Sequence, residues 1–144
     1  MRGDTLSRPI EHVAPSFLPF FEADIPAGFP SPAEDYIEQQ LDLHQHLVKH
    51  PAATFFVKVS GDSMQGAGIF SGDLLIVDRS LPPLNGKIVV AILNGEFTVK
   101  RLRIHGKKIW LLAENPTYPP ISVGEENEFQ VWGVVTYVIH QCSS

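Results

Sequence analysis

From residue 54 onward, apolar positions come in short runs, several of them alternating with polar ones and separated by Gly, Pro, Asn and Asp. Segments 54–60, 74–78, 87–93, 96–104, 108–113 and 129–140 are rich in Val, Ile, Phe, Thr and Tyr and read as β-strands. Asn94-Gly95 lies between two of them and supplies the positive φ that a type I′ hairpin turn needs at both central residues. His105-Gly106 marks a further turn. Short strands with frequent turns predict a compact, mostly antiparallel β domain. Within 96–104 the period of two places Lys100 on the face of Thr98 and Leu102, opposite Phe97 and Val99.

Ahead of residue 51 the pattern changes. Pro9, Pro15, Pro19, Pro26, Pro30 and Pro32 each fix φ and remove a backbone donor, so no helix or central strand runs through the first 32 residues. Phe17, Leu18, Phe20, Phe21 and Ile25 nevertheless make this stretch apolar, which predicts an extended arm docked on a surface. Ser31-Pro32-Ala33-Glu34 carries the residues of a capping box, and Asp42-Leu43-His44-Gln45 offers a second helix start. Leu43, Leu47 and Val48 form one apolar face, and His50-Pro51 ends it, giving a helix over about 43–49. The fold class expected is therefore mostly β, with one or two short helices and an extended N-terminal arm.

Composition narrows the function. A chain of 144 residues, 44% hydrophobic and 19% charged, fits one globular domain with a real core. Eleven Lys and Arg against 16 Asp and Glu leave a net charge of −5, which gives no general reason for direct, sequence-specific DNA binding. A single cysteine, Cys142, excludes an internal disulfide and a cysteine-based zinc cluster. Neither a signal peptide nor a membrane span is evident, so a cytoplasmic protein is expected.

Two places carry candidate chemistry. Ser60-Gly61-Asp62-Ser63-Met64 follows an apolar strand, so Ser63 sits at a sharp exit where glycine lets backbone N–H groups turn inward, as a nucleophile with an oxyanion hole requires. By itself the motif also fits an ordinary turn. Lys100 is open in the same way: on a solvated face it belongs to the basic run Arg101, Arg103, Lys107 and Lys108, whereas on the core side desolvation would leave its amine neutral and able to take a proton. His46 and His50 fall at i and i+4, but no acidic or cysteine ligands cluster beside them, and solvated helix histidines are the simpler reading.

Taken together, five blocks resemble the LexA/UmuD-type self-cleaving serine peptidases with a Ser/Lys dyad. They are Gly28-Phe29-Pro30-Ser31-Pro32-Ala33-Glu34-Asp35-Tyr36, Phe56-Val57-Lys58-Val59-Ser60-Gly61-Asp62-Ser63-Met64, Gly72-Asp73-Leu74-Leu75-Ile76-Val77-Asp78, Gly95-Glu96-Phe97-Thr98-Val99-Lys100 and Phe129-Gln130-Val131-Trp132-Gly133-Val134-Val135. The resemblance implies that Ser63 is the nucleophile, that Lys100 is the general base and that the backbone of Asp62 and Ser63 forms the oxyanion hole. It implies a cut between Ala27 and Gly28, dividing the chain into a cleavable arm, 1–27, and a LexA/UmuD-like peptidase domain, 28–144. Pro26 and the stretch Gln65-Gly66-Ala67-Gly68 depart from the family pattern.

The resemblance further implies stimulation by a RecA filament on single-stranded DNA. The processed form would act as a homodimer with a UmuC-type polymerase in translesion synthesis during the SOS response. No cofactor or metal is implied. The proline-rich first 27 residues cannot form the helix-turn-helix of a repressor. A competing reading is a binding module that regulates such a polymerase without being processed.

Overall fold

The computed structural model describes residues 6–7, 15–22, 24–30, 32–33 and 37–143. They fall into two compact units, one holding the described residues up to 7 and from 50 onward, the other those from 15 to 49. Strand β1 (Leu6–Ser7) belongs to the first unit.

In the second unit, β2 (Phe17–Glu22) and β3 (Ile37–Asp42) pair antiparallel, Phe17 opposite Asp42 and Glu22 opposite Ile37. A two-stranded sheet has only edge strands, which is why Pro19 is tolerated within β2. The docked arm predicted from its apolar residues takes this form instead, and the β2 side chains stay exposed, Leu18 at 64%. Of the two helix starts, Asp42 is the one used. Its Oδ1 accepts the Gln45 N–H at 3.2 Å and opens α1 (Leu43–Leu47). A helix running on from residue 31 is excluded by β3, and Ser31 and Glu34 of the predicted capping box lie outside the described residues. Because α1 stops at Leu47, His46 and His50 do not share a helix face as the spacing suggested.

The first unit is built on β1 with β4 (Thr54–Lys58), β5 (Leu74–Asp78), β6 (Ile88–Leu93), β7 (Glu96–His105), β8 (Lys108–Leu112), β9 (Ile121–Val123) and β10 (Phe129–Ile139). They form an eight-stranded sheet in the order β1-β4-β5-β10-β6-β7-β8-β9, antiparallel throughout. All six strands predicted beyond residue 51 are present. β9 was missed, since three residues after Pro119-Pro120 are too few for a period to show. Asn94 and Gly95 have φ of 49° and 81°, the hairpin turn predicted between β6 and β7.

Alternation along the strands divides the core into two clusters. Val59, Met64, Ile69, Leu75, Val77, Val90 and Trp132 make one. Val89, Ala91, Leu102, Leu111 and Val134 make the other, with Val89 and Val90 pointing opposite ways from the same strand. A bulge in β10 between Val131 and Gly133 displaces Trp132, whose ring meets Phe55 and Phe97 edge-on and lies under the Arg79 guanidinium. Gly133 is required at this bulge, since a β-carbon there would come within 2.5 Å of Val77 Cγ1. No helix among the described residues is long and apolar enough to cross a membrane.

Candidate active site

After β4 the chain leaves the sheet and returns at β5. The neck of this excursion is closed by Val59 N–H donating to Asp73 O at 2.9 Å and Gly72 N–H to Val59 O at 2.7 Å. Between these points Gly61 has φ of 97°, a conformation that glycine alone adopts freely. Met64 and Ile69 reach back into the core cluster and are buried, so they fix the loop from its underside. Ser63, next to the Met64 anchor, is held half-buried at the rim of a cleft of about 370 Å³.

Lys100 enters the same cleft from the middle of β7, where it pairs with Val89. It is only 8% exposed, so the alternation that placed it beside Thr98 and Leu102 has put it on the buried side. Its Nζ lies 3.0 Å from Ser63 Oγ, 2.9 Å from Thr98 Oγ1 and 3.2 Å from Val99 O. Burial pushes the ammonium below the ordinary lysine range. A neutral amine has two N–H donors and one lone pair. Thr98 Oγ1 and Val99 O can take the two donors, which leaves the lone pair for the Ser63 hydroxyl proton. Val57, Val59, Val90, Phe97 and Val99 supply apolar walls that keep the site's dielectric low.

The loop after β8 grips the serine loop from the other side. Glu114 N–H donates to Ser63 O at 2.8 Å, Asn115 Nδ2 donates to Asp62 O at 2.9 Å, and Tyr118 OH donates to Asp62 Oδ1 at 2.5 Å. The bond to the Asp62 carboxylate raises the Tyr118 pKa. Gly66 N–H donates to Glu114 O at 2.8 Å, and a β-carbon at Gly66 would stand 2.6 Å from that oxygen. Glu114 is itself tied to β7, its Oε1 accepting from Arg101 Nε at 2.5 Å.

The structure thus brings Ser63, Asp62 and Lys100 to one cleft. Ala27 and Gly28 belong to the other unit and lie in an exposed bend. Thr98, Glu114, Asn115 and Tyr118 were not singled out from sequence. Only Thr98 carried a usable signal, its shared face with Lys100. The two histidines flanking the sheet, His50 and His140, pair with Asp78 at 2.5 Å and Asp73 at 2.6 Å.

A serine hydroxyl against a buried, hydrogen-bonded lysine amine, in an apolar cleft of an antiparallel sheet, is an arrangement able to activate a nucleophile. Residues 19–136 match the Peptidase S24-like family, and the chain belongs to it. Protein SamA of Salmonella typhimurium is 48% identical over 139 residues, covering 96% of both chains. Protein MucA of Escherichia coli is 47% identical over 121 residues, 83% of this chain and 82% of its own. LexA repressor 1 of Pseudomonas putida is 43% identical over 118 residues, 81% of this chain and 58% of its own.

Proposed function

We propose that this protein is a self-cleaving serine peptidase of the SOS response that cuts its own chain between Ala27 and Gly28. The observation that carries the reading is the 3.0 Å approach of Lys100 Nζ to Ser63 Oγ with the lysine buried. In the mechanism, neutral Lys100 accepts the Ser63 proton as Oγ attacks the Ala27 carbonyl. The N–H of Ser63 and that of Asp62 stabilise the oxyanion. Lys100 then protonates the departing Gly28 amine, and water hydrolyses the acyl-serine. The arm, 1–27, is released from the domain, 28–144. The apolar walls of the cleft suit Ala27 and, two residues earlier, Ile25. Arm and product are both acidic, so processing changes exposed surface more than charge.

A RecA filament on single-stranded DNA acts by favouring the conformer that has residues 27 and 28 in the cleft, a shift of population and not new chemistry. The processed fragment forms a cytoplasmic homodimer that joins a UmuC-type translesion polymerase. Family membership and the resemblance of the five sequence blocks support this role.

The test is intact mass of wild type and Ser63→Ala after incubation at about pH 9–10, with and without RecA, single-stranded DNA and nucleotide. Appearance of the 28–144 fragment in wild type alone is the expected result, with RecA accelerating it. An intact wild-type chain in every condition would leave the unprocessed binding module as the better reading.

A further inference from the structure

The oxyanion hole proposed above depends on where the Ser63 N–H points, and that N–H belongs to the same peptide plane as the Asp62 carbonyl. In a trans peptide the C=O and N–H are rigidly opposed, so a group that fixes one aims the other. The described residues contain no cis peptide. The Asp62 carbonyl is held by Asn115 Nδ2 at 2.9 Å, from a loop 53 positions away in sequence. Asn115 is in turn held by its other side-chain atom, since Oδ1 accepts from Thr117 N–H at 3.1 Å and Thr117 Oγ1 at 2.9 Å. These two bonds leave the amide only one sense, with Nδ2 toward Asp62. The next peptide plane is held in the same way, with Glu114 N–H on Ser63 O at 2.8 Å. The two carbonyls that bracket Ser63 are therefore both engaged by consecutive residues of one loop.

From this geometry we infer that Asn115 is a positioning residue for self-cleavage: by holding the Asp62 carbonyl it aims the Ser63 N–H at the developing oxyanion. The inference rests on the Ser63–Lys100 reading and deepens it. Asn115 does not line the cleft, and its side-chain bonds go to Asp62 O and to Thr117. Its effect passes through one peptide plane, with Glu114 as the companion brace and Arg101 linking that brace to the strand of the base. A donor held rigid before the reaction costs no reorganisation during it, which is the source of oxyanion-hole catalysis. Without Asn115, the 62–63 plane is left with the Gln65 N–H, a long contact at 3.4 Å.

Asn115 also shapes its own turn through Thr117, and the test must separate the two roles. Asn115→Asp keeps an oxygen for Thr117 N–H and Oγ1 but has no donor for the Asp62 carbonyl, whereas Asn115→Ala removes both. Self-cleavage of wild type and both variants is followed by intact mass from pH 7 to 11, together with thermal unfolding. The limiting rate is read above the midpoint, where Lys100 is neutral in every chain. We expect that rate to fall about tenfold or more in both variants, a share of the 10²–10³ that a full oxyanion donor is worth. The midpoint of Asn115→Ala should stay where wild type has it, and Asn115→Asp should unfold near the wild-type temperature. A wild-type limiting rate in Asn115→Asp, a shifted midpoint in Asn115→Ala or loss of fold in both variants would each overturn the inference while leaving the dyad standing. If wild type itself is never cut, the Ser63–Lys100 reading fails, and the role of Asn115 fails with it.

Discussion

Lys100 Nζ and Ser63 Oγ lie 3.0 Å apart although 37 positions separate the residues in sequence. Burial disfavours the charged amine, so the Lys100 pKa is lowered, and it is the unprotonated form that can accept a proton from Ser63. Self-cleavage is therefore expected to rise with pH and to reach half its maximum below the ~10.4 of a free lysine. Initial rates of fragment formation across that range measure the midpoint. A flat profile, or a midpoint at the free-lysine value, would count against a buried lysine base. Lys100→Arg should be inactive throughout, because a guanidinium does not deprotonate in this range.

Thr98 Oγ1 accepts a hydrogen bond from the same amine at 2.9 Å. Thr98→Val keeps the branched shape and removes the acceptor. The three N–H donors of an ammonium need acceptors more than the two of a neutral amine do, so the variant should lower the Lys100 pKa further. The rate midpoint is expected to move to lower pH. The plateau should drop about tenfold, the equivalent of ~1.4 kcal/mol, because the lone pair is no longer held toward Ser63. The same rate-against-pH series measures both. An unchanged midpoint together with an unchanged plateau would show that Thr98 does not orient the amine.

The sheet was legible from sequence because its strands are short runs rich in Val, Ile, Phe, Thr and Tyr between turn residues, its sharpest turn is spelled Asn94-Gly95, and β7 keeps a period of two. The same period put Lys100 with Thr98 and Leu102 but left open whether that face was solvated, and the exposures of 2% at Leu102 and 8% at Lys100 show it to be the buried one. The β2 and β3 pairing was not legible. Pro19 argues against a strand in any sheet with more than edges, and nothing local announces a partner some twenty residues on. The brace on the serine loop was hidden for a different reason. Asn115 and Tyr118 meet Asp62 across 53 and 56 positions, from a loop whose Asn-Pro and Pro-Pro steps read only as turns. Periodicity shows which face a residue takes, and a loop has no faces to show.

Gly66 gives that brace a steric test. Its φ is not positive, so alanine is strained only by the 2.6 Å approach of its β-carbon to Glu114 O, a backbone atom that cannot swing aside. Gly66→Ala should push the two loops apart, weakening Gly66 N–H to Glu114 O and, next to it, Glu114 N–H to Ser63 O. The expected cost is about 1–3 kcal/mol, as for other overpacked sites, measurable by urea unfolding. Self-cleavage should slow in parallel, since the second carbonyl beside Ser63 loses its donor. A variant with wild-type stability would mean that the loops part without strain.

Asp73 and Asp78, the latter closing β5 and the former just ahead of it, are buried carboxylates at 3% and 4% exposure. Burial by itself raises a carboxyl pKa, but bonds from Phe70 N–H and His140 outweigh it at Asp73, as bonds from Ser80 and His50 do at Asp78, and both pKa values are lowered. A carboxylate whose folded pKa lies below its unfolded value stabilises the fold fully above the unfolded value, ~3.9. That contribution is lost as pH falls through the folded value. Unfolding free energy should therefore be level with respect to these two groups near neutrality and decline below about pH 4–5. Asp73→Asn and Asp78→Asn should each cost about 1–3 kcal/mol at neutral pH, the worth of hydrogen bonds to a charged group. Each should also flatten the acid decline, and the double variant should flatten it most. Urea unfolding at intervals from pH 3 to 7 measures both effects, and an acid decline as steep in the double variant as in wild type would assign it to other carboxylates.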